Sequence, residues 1–326
     1  MNLDFNRRLS IAPMLDYTDR HDRYFLRLLS KHILLYTEMI PANAIVLSKP
    51  ELFLKHDNLE HPLAIQFGGS DIKNLGIAAK IAEDYGFSEI NLNCGCPSDR
   101  VQNGNFGACL MKEKEHVAKC LESMMQAVKI PVSVKCRIGV DNEDSEAFFF
   151  DFIETLKNTG CKTFIIHARK AWLKGLSPRE NREVPPLNYD RVFLLKEKFK
   201  ELTISINGGI KTLDKTSELL GKVDGVMIGR EAYENPWFLR EADAKIFNDN
   251  HEIFHSRKEL LEAYLPYLEK EAGEGTPLTI LTRHLLHLFS GVKGAKKYRQ
   301  TLSENAPRTK NIRKLISDAL SFIEED

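Results

Sequence analysis

The 326-residue sequence lacks the features of several protein classes. No apolar run approaches the ~18 residues that span a bilayer, and residues 1–8 contain no apolar signal region. The 6 cysteines are irregularly spaced in a long chain, which indicates reduced thiols rather than a disulfide framework. Basic and acidic residues both number 46, so net charge gives no general affinity for nucleic acid. We expect a soluble, cytoplasmic protein without a membrane partner.

Short apolar, β-branched runs alternate with amphipathic helical patterns through the first three quarters of the chain. This alternation predicts a parallel sheet, and eight such units fit a closed (β/α)8 TIM barrel of ~250 residues. A doubly wound open sheet is the alternative, but the first run lacks the Gly-x-Gly-x-x-Gly turn. The predicted strands are Leu9–Ala12, Ile33–Thr37, Leu63–Phe67, Glu89–Asn93, Val132–Lys135, Thr163–His167, Thr203–Asn207 and Gly225–Ile228.

The strand patterns stop after about Asp243, and only helical patterns follow. We therefore predict two domains, a catalytic barrel over residues 1–243 and a separate all-helical domain over residues 244–326. The predicted C-terminal helices are Ser256–Ala272, Pro277–Phe289, Ala295–Glu304 and Thr309–Glu325.

Polar or glycine residues lie at the ends of most of the predicted strands, where barrels carry their active sites. At the seventh and eighth ends, many barrels bind phosphate through glycine N–H groups and a cation. Asn207, Gly208, Gly209, Gly229 and Arg230 have this composition, although such glycines also form simple turns. We expect phosphate binding, because both signals fall where this architecture requires them.

Three further strand-end side chains have a functional and a structural interpretation. Lys135 is either solvated or placed to stabilise negative charge, such as that on a reduced flavin. His167 begins a polar break after a buried strand, although a lone histidine is more often structural. The Gln66 amide both donates and accepts, which suits the edge of a pyrimidine-like ring.

Cys96 lies where the fourth strand gives way to a long loop rich in glycine and asparagine. The other thiols at Cys109, Cys120, Cys136 and Cys161 fit the usual role of a small buried apolar residue. Cys94 and Cys96 lack the second pair or nearby histidine that zinc requires, so we predict no metal. A thiol at the rim is mostly protonated at neutral pH yet acidic enough to donate a proton.

Together these motifs resemble the tRNA-dihydrouridine synthases over essentially the whole chain. The resemblance rests on Ala12-Pro13-Met14-Leu15-Asp16-Tyr17-Thr18-Asp19, Gln66, Asn91-Leu92-Asn93-Cys94-Gly95-Cys96-Pro97-Ser98, Lys135, His167-Ala168-Arg169, Asn207-Gly208-Gly209-Ile210 and Gly229-Arg230. The stretches 99–111 and 167–186 are similar to the A-type subfamily. Cys94 departs from the family pattern, which has an aliphatic residue there.

The resemblance implies an FMN-bearing barrel that uses NADPH to reduce the C5–C6 double bond of uridine in the tRNA D-loop, at positions 20 and 20a. Cys96 would donate the proton to C5, and Asn93 would contact tRNA. The residues implied for FMN are Pro13, Met14, Leu15, Gln66, Lys135, His167, Asn207, Gly208, Gly209, Gly229 and Arg230. The target base must leave the tRNA fold to reach such a site.

A basic run independently favours tRNA as partner. Between Gly291 and Lys314, eight cationic residues face Glu304 alone, an excess of seven in a neutral protein. We expect tRNA contacts from Lys296, Lys297 and Arg299, with Arg179 and Arg182 adding contacts near the active site. No obligate protein partner is evident, and a monomer is the default.

Three alternatives stay open at this point. A flavin barrel acting on free pyrimidines explains Cys96 and Lys135 but not the basic helical segment. A flavin-free phosphate-binding barrel, such as an aldolase, would use Lys135 as its Schiff-base lysine. A non-catalytic tRNA-binding protein leaves the polar rim unexplained.

Overall fold

Residues 5–251 and 254–324 are described in a computed structural model, with Arg100 described by its backbone. Eight parallel strands follow one another around the sheet in chain order, with β1 beside β8. They are β1 (Leu9–Ile11), β2 (Leu35–Pro41), β3 (Leu63–Gly68), β4 (Glu89–Cys94), β5 (Val132–Arg137), β6 (Thr163–His167), β7 (Thr203–Asn207) and β8 (Gly225–Ile228).

The barrel closes between β1 and the residue that precedes β2. Ile11 N–H donates to the carbonyl of Leu34 at 3.0 Å, and Leu34 N–H donates to Leu9 at 3.1 Å. The predicted (β/α)8 barrel is confirmed, and the last three strands have the predicted bounds. β2 begins two residues later than predicted and runs to Pro41, so Glu38 lies within it. β5 runs to Arg137, so Lys135 lies within this strand rather than at its end.

Helices cover the outside of the barrel because each has one apolar face that packs on the strands. Several of these helices begin after a residue whose side chain accepts from a first-turn N–H, among them Asp71, Ser145, Asn188 and Thr212. The barrel helices are α1 (Arg20–Leu29), α2 (Ala42–Leu47), α3 (Glu51–Leu54), α4 (Ile72–Asp84), α5 (Asp99–Asn103), α6 (Lys114–Ala127), α7 (Glu146–Lys157), α8 (Tyr189–Lys198), α9 (Leu213–Leu220), α10 (Arg230–Glu234) and α11 (Ala242–Phe247).

The C-terminal segment is helical, as predicted. It contains α12 (Arg257–Gly273), α13 (Leu278–Thr282), α14 (Ala295–Asn305) and α15 (Ile312–Leu320). The predicted helix 277–289 is shorter, since a 3₁₀ turn at Arg283–Leu285 follows α13. The predicted end of the last helix, Glu325, lies outside the described residues. None of the described helices is long and apolar enough to cross a membrane.

Buried side chains of the barrel and of the C-terminal helices belong to one continuous apolar cluster. α1 forms much of this junction: its Phe25 ring lies 5.2 Å from Tyr264 of α12, and Tyr24 stacks on Tyr267 at 3.9 Å. Asp19 caps α1 and also accepts from Arg283 at 2.6 Å. The helical segment is therefore held firmly against the side of the barrel that carries the β1 loop.

The inside of the barrel is unusually polar along β4. Period-two alternation puts Glu89, Asn91 and Asn93 on the inner face of this strand, and all are buried. Asn91 donates to Ser133 at 2.8 Å, Gln66 donates to Asn91 at 2.7 Å, and Asn93 donates to Gln66 at 2.8 Å. This chain of buried hydrogen bonds fixes the amides of Gln66 and Asn93 at the carboxyl end of the barrel.

Candidate active site at the barrel mouth

Cys96 lies two residues beyond β4, and hydrogen bonds to backbone groups hold its loop in place. The Asn93 side-chain oxygen accepts from the N–H groups of Gly95 at 3.1 Å and Cys96 at 3.0 Å. The Cys96 carbonyl accepts from Ala108 N–H at 2.9 Å. Gly107 has φ +82°, and a Cβ there would lie 2.4 Å from the Cys96 carbonyl oxygen, so only glycine permits this approach. The half-buried Cys96 thiol lies 3.6 Å from the Ser98 hydroxyl.

The loop after Cys96 is more ordered than the sequence predicted. Residues 99–103 form α5, and Gly107–Lys112 form a 3₁₀ helix. Gln102 donates to the carbonyls of Pro97 at 2.7 Å and Leu173 at 2.8 Å, which ties this loop to the one that follows β6.

Three cationic side chains lie within electrostatic reach of the thiol. Lys135, Arg137 and Arg182 each interact electrostatically with Cys96. Burial, followed by the charge of Arg137, lowers the pKa of Lys135 to about 8. Positive charge near the thiol can stabilise negative charge that develops during a reaction at the barrel mouth.

Arg137 is a residue of the site to which the sequence motifs assigned no role. Its guanidinium is 3% exposed, and burial lowers its pKa to about 10. Nε donates to Gly95 at 2.9 Å, while Nη1 donates to Lys170 and Asn181, both at 2.9 Å. Arg137 thereby joins the Cys96 loop to the 170–186 loop, which carries Arg179 and Arg182. No signal in the sequence distinguishes a clamp of this kind from a solvated strand-end arginine.

His167 is held neutral at the end of β6. Burial is the main cause that lowers its pKa well below the usual value, and the charges of Arg137 and Lys135 add to it. Lys135 Nζ donates to the Asn207 side-chain oxygen at 3.2 Å, and Asn207 donates to Met227 at 2.8 Å. The structure thus brings the predicted residues Lys135, His167 and Asn207 to one side of the mouth.

Gly208 and Gly209 occupy positive-φ conformations, at +122° and +69°. A Cβ on Gly208 would lie 2.9 Å from both His167 Cδ2 and Leu187 Cδ2, so glycine is required by backbone and packing alike. Gly229 follows β8 directly, and a Cβ there would meet only the Ala12 methyl group, at 3.9 Å.

The predicted phosphate cation, Arg230, pairs with Glu183 at 2.6 Å, and Arg179 approaches the same carboxylate at 3.7 Å. Arg169, whose charge interacts with that of Arg230, has a buried Nε without a hydrogen-bond partner. Three arginines therefore lie near the single carboxylate of Glu183, and the excess positive charge makes this side of the mouth suitable for an anionic group.

Pro13, Met14 and Leu15 lie in the loop after β1, the strand that pairs with β8 in the barrel. Pro13 and Met14 are half-buried, and Leu15 is 62% exposed. They provide the apolar part of the rim. Arg182 also interacts with Tyr17, which places the 170–186 loop near the β1 loop.

The residues predicted to contact tRNA on α14 lie on the helical segment. Lys296 and Lys297 are exposed, whereas Arg299 is half-buried and interacts with His287. The predicted charge excess is reduced, because Lys293 pairs with Glu324 at 2.6 Å and Arg313 pairs with Glu269 at 2.7 Å. Among residues 5–251 and 254–324, no carboxylate forms an ion pair with Lys296, Lys297 or Arg299.

Comparison with known proteins gives a consistent result. The chain is 52% identical to the tRNA-dihydrouridine(20/20a) synthase of Yersinia pestis, over 97% of this chain and 92% of that protein. It is 51% identical to the protein of the same name from Escherichia coli K12, over 99% and 93%. A solved complex of 2-naphthoyl-CoA reductase matches 72% of this chain and 49% of its own, with TM-score 0.57 and 10% identity, and shows a shared fold.

The family model of dihydrouridine synthase (Dus) matches residues 10–324, which include the barrel, its mouth and α14. The chain therefore belongs to the dihydrouridine synthase family.

Proposed function

We propose that this protein is an oxidoreductase that reduces the C5–C6 double bond of a uridine in tRNA. Uridine, NADPH and one proton would give dihydrouridine and NADP⁺. The observation that carries the proposal is the Cys96 thiol, held at the barrel mouth by Asn93 and within electrostatic reach of three cationic side chains. The names of relatives about half identical to this chain support positions 20 and 20a as targets.

The donor set at the mouth fits FMN. Its phosphate needs cations and close N–H groups, which Arg230, Gly208, Gly209 and Gly229 would supply, with the unpartnered Nε of Arg169 beside them. Its ring system needs an apolar wall and polar edge contacts, which Pro13, Met14, Leu15 and Gln66 would supply. Lys135 and His167 would contact the ring or its chain, and Asn207 orients Lys135. When bound and reduced, FMN supplies the hydride that uracil takes up at C6.

The protein's own chemical step is proton donation. Hydride addition at C6 builds negative charge toward C5, and a proton must reach C5 as this charge forms. The Cys96 S–H would form the new C5–H bond, and the S–H bonding pair would remain on sulfur as a thiolate. Lys135, Arg137 and Arg182 stabilise that thiolate and lower the cost of the transfer. A proton from solvent then restores the thiol.

Asn93 has two roles in this proposal. Its oxygen fixes the backbone of the Cys96 loop, and its amide nitrogen is held by Gln66. We propose that the second hydrogen of this amide nitrogen contacts the target nucleotide, which must be flipped out of the tRNA fold to reach the mouth.

We propose that tRNA also rests on the helical segment. Lys296, Lys297 and Arg299 would bind phosphates of the substrate, while Arg179 and Arg182 would contact it close to the thiol. This surface favours tRNA over a free pyrimidine, because a free base would not reach α14. We retain residues 1–243 as catalytic barrel and 244–326 as tRNA-binding domain, and we propose a cytoplasmic monomer without a protein partner.

Replacing the proposed proton donor tests the function. We expect Cys96→Ala to retain flavin and tRNA and to reduce tRNA at least about 100-fold more slowly, the lower range for losing a general acid. Cys109→Ala is the matched control, since Cys109 is a half-buried thiol of the same loop that contacts the Phe106 carbonyl at 3.2 Å. Unchanged turnover by Cys96→Ala would remove Cys96 from the mechanism.

A further inference from the structure

Tyr17 is an aromatic side chain at the rim to which the proposed reaction assigns no role. It lies in the loop after β1 and is 37% exposed. The backbone around it is fixed: Asp16 has φ +66° and donates its N–H to Glu38, and Tyr17 N–H donates to the Met14 carbonyl at 3.1 Å. A non-glycine residue in this conformation is uncommon and persists when its surroundings hold it there.

The Tyr17 ring stacks on a second tyrosine that is itself firmly supported. Its centroid lies 4.3 Å from that of Tyr233, at an interplanar angle of 20°. Tyr233 is 9% exposed, and its hydroxyl donates to the Arg283 carbonyl at 3.2 Å. The edge of its ring meets His284 at 5.7 Å and 89°. The exposed ring is therefore backed by a buried ring and by the helical segment.

The pair lies between the two cationic regions proposed to bind RNA. On one side, Arg182 interacts with both Tyr17 and Cys96. On the other, Tyr233 lies 5.8 Å from His287, which interacts with Arg299 of α14. A strand of RNA that reaches from α14 to the thiol would pass the Tyr17 ring.

A tyrosine that only joined two parts of a protein would gain most from full burial and from a partner for its hydroxyl. Tyr17 has neither. Over the part of the chain that the structure describes, its hydroxyl makes no hydrogen bond, and more than a third of the side chain faces solvent. Exposed, rigid aromatic rings beside arginine are the usual stacking surface for an unpaired nucleobase.

We propose that Tyr17, supported by Tyr233, is a stacking platform for the nucleobase adjoining the flipped uridine. The inference rests on the proposed function and extends it, because it names what fixes the register of the RNA at the mouth. Stacking of one neighbouring base determines which of two consecutive uridines enters the site, so Tyr17 contributes to the choice of target position.

The test compares variants of the full-length protein on unmodified tRNA at one fixed salt concentration. We expect Tyr17→Leu to raise KM and Kd for tRNA about tenfold, the loss of one base stack, and to change the ratio of products at the two positions. Tyr17→Phe and Tyr17→Trp keep an aromatic ring, so their KM and Kd for tRNA and their product ratio should be close to those of the wild type. Tyr85→Leu is the control, because Tyr85 is 36% exposed at the end of α4, on the face where the strands begin.

Tyr17→Trp gives a second readout that does not depend on the leucine variant folding. Stacking on a base should quench the fluorescence of the added indole when tRNA binds, relative to the native protein. Absence of quenching, or a Tyr17→Leu variant with wild-type KM, Kd and product ratio, would overturn the platform alone. A loss in Tyr17→Leu that Tyr17→Phe does not restore would also overturn it. Wild-type protein that neither binds nor reduces tRNA would overturn the platform and the proposed function together.

Discussion

Replacement of Arg137 by methionine tests whether one buried side chain holds the two loops of the site together. The guanidinium donates to three backbone carbonyls, at Gly95, Lys170 and Asn181, and it is 3% exposed. Methionine has similar length but no donor, so all three carbonyls would lose their partner.

The expected cost follows from these contacts. Hydrogen bonds to a charged group contribute about 1.5–3 kcal/mol each, which gives about 5–9 kcal/mol for three. Burial opposes this: it lowers the pKa of Arg137 from 12.5 to about 10, and at about 1.4 kcal/mol per unit it costs about 3 kcal/mol. The net loss for Arg137→Met is therefore about 2–6 kcal/mol. Arg137→Lys keeps one donor group and should lose less.

Two measurements apply. Urea unfolding followed by circular dichroism gives the free energy of unfolding, and limited trypsin digestion at the exposed Lys174 and Arg179 reports local opening of the 170–186 loop. A loss of this size should speed cleavage by well over tenfold. Arg313→Met is the control: its guanidinium pairs with Glu269 at the surface and is 63% exposed, so its removal should cost about 0–1 kcal/mol. If Arg137→Met has the same free energy of unfolding and the same cleavage rate as the wild type, Arg137 does not hold the two loops together.

Three further predictions concern cofactor and tRNA binding. Gly208→Ala would force a Cβ to within 2.9 Å of His167 at φ +122°, so the protein should retain much less flavin than a Gly273→Ala control, whose Cβ meets nothing within 4 Å. Lys135 is cationic below its pKa of about 8 and neutral above it, so the affinity of the apoprotein for FMN should fall as pH rises through 8, by at most about tenfold per unit, and Lys135→Gln should abolish this dependence. Reversing the charges of Lys296, Lys297 and Arg299 to glutamate should weaken tRNA binding most at low salt; equal affinity at every salt concentration would refute the electrostatic surface.

The sequence predicted the barrel because its strands are short apolar runs and its outer helices are amphipathic, so local pattern and tertiary fold agree. It failed to predict α1 for a physical reason. Four charged or polar residues of that helix, His21, Asp22, Arg23 and Arg27, are buried. Their partners lie far along the chain, as in the Arg23–Glu60 ion pair, so the local sequence does not show that this strongly charged helix is buried.

Residues that line the mouth are predictable from the strand ends, since carboxyl ends of parallel strands must meet there. Roles that depend on distant contacts are not predictable in this way. Arg137 acts through carbonyls 33 to 44 positions away in sequence, and Tyr17 meets a ring from α10. The charge count on the basic segment could not show that Arg313 pairs with Glu269, because this carboxylate lies on another helix.

The most direct test of the account is an anaerobic one. The purified protein is reduced with NADPH, unmodified tRNA or free uridine is added, and flavin absorbance is followed. The account predicts prompt reoxidation by tRNA, none by free uridine, and slow reoxidation by tRNA in Cys96→Ala. Reoxidation by free uridine or uracil alone would contradict tRNA as substrate, and a colourless protein from which no flavin can be recovered would contradict the cofactor and the role of Cys96.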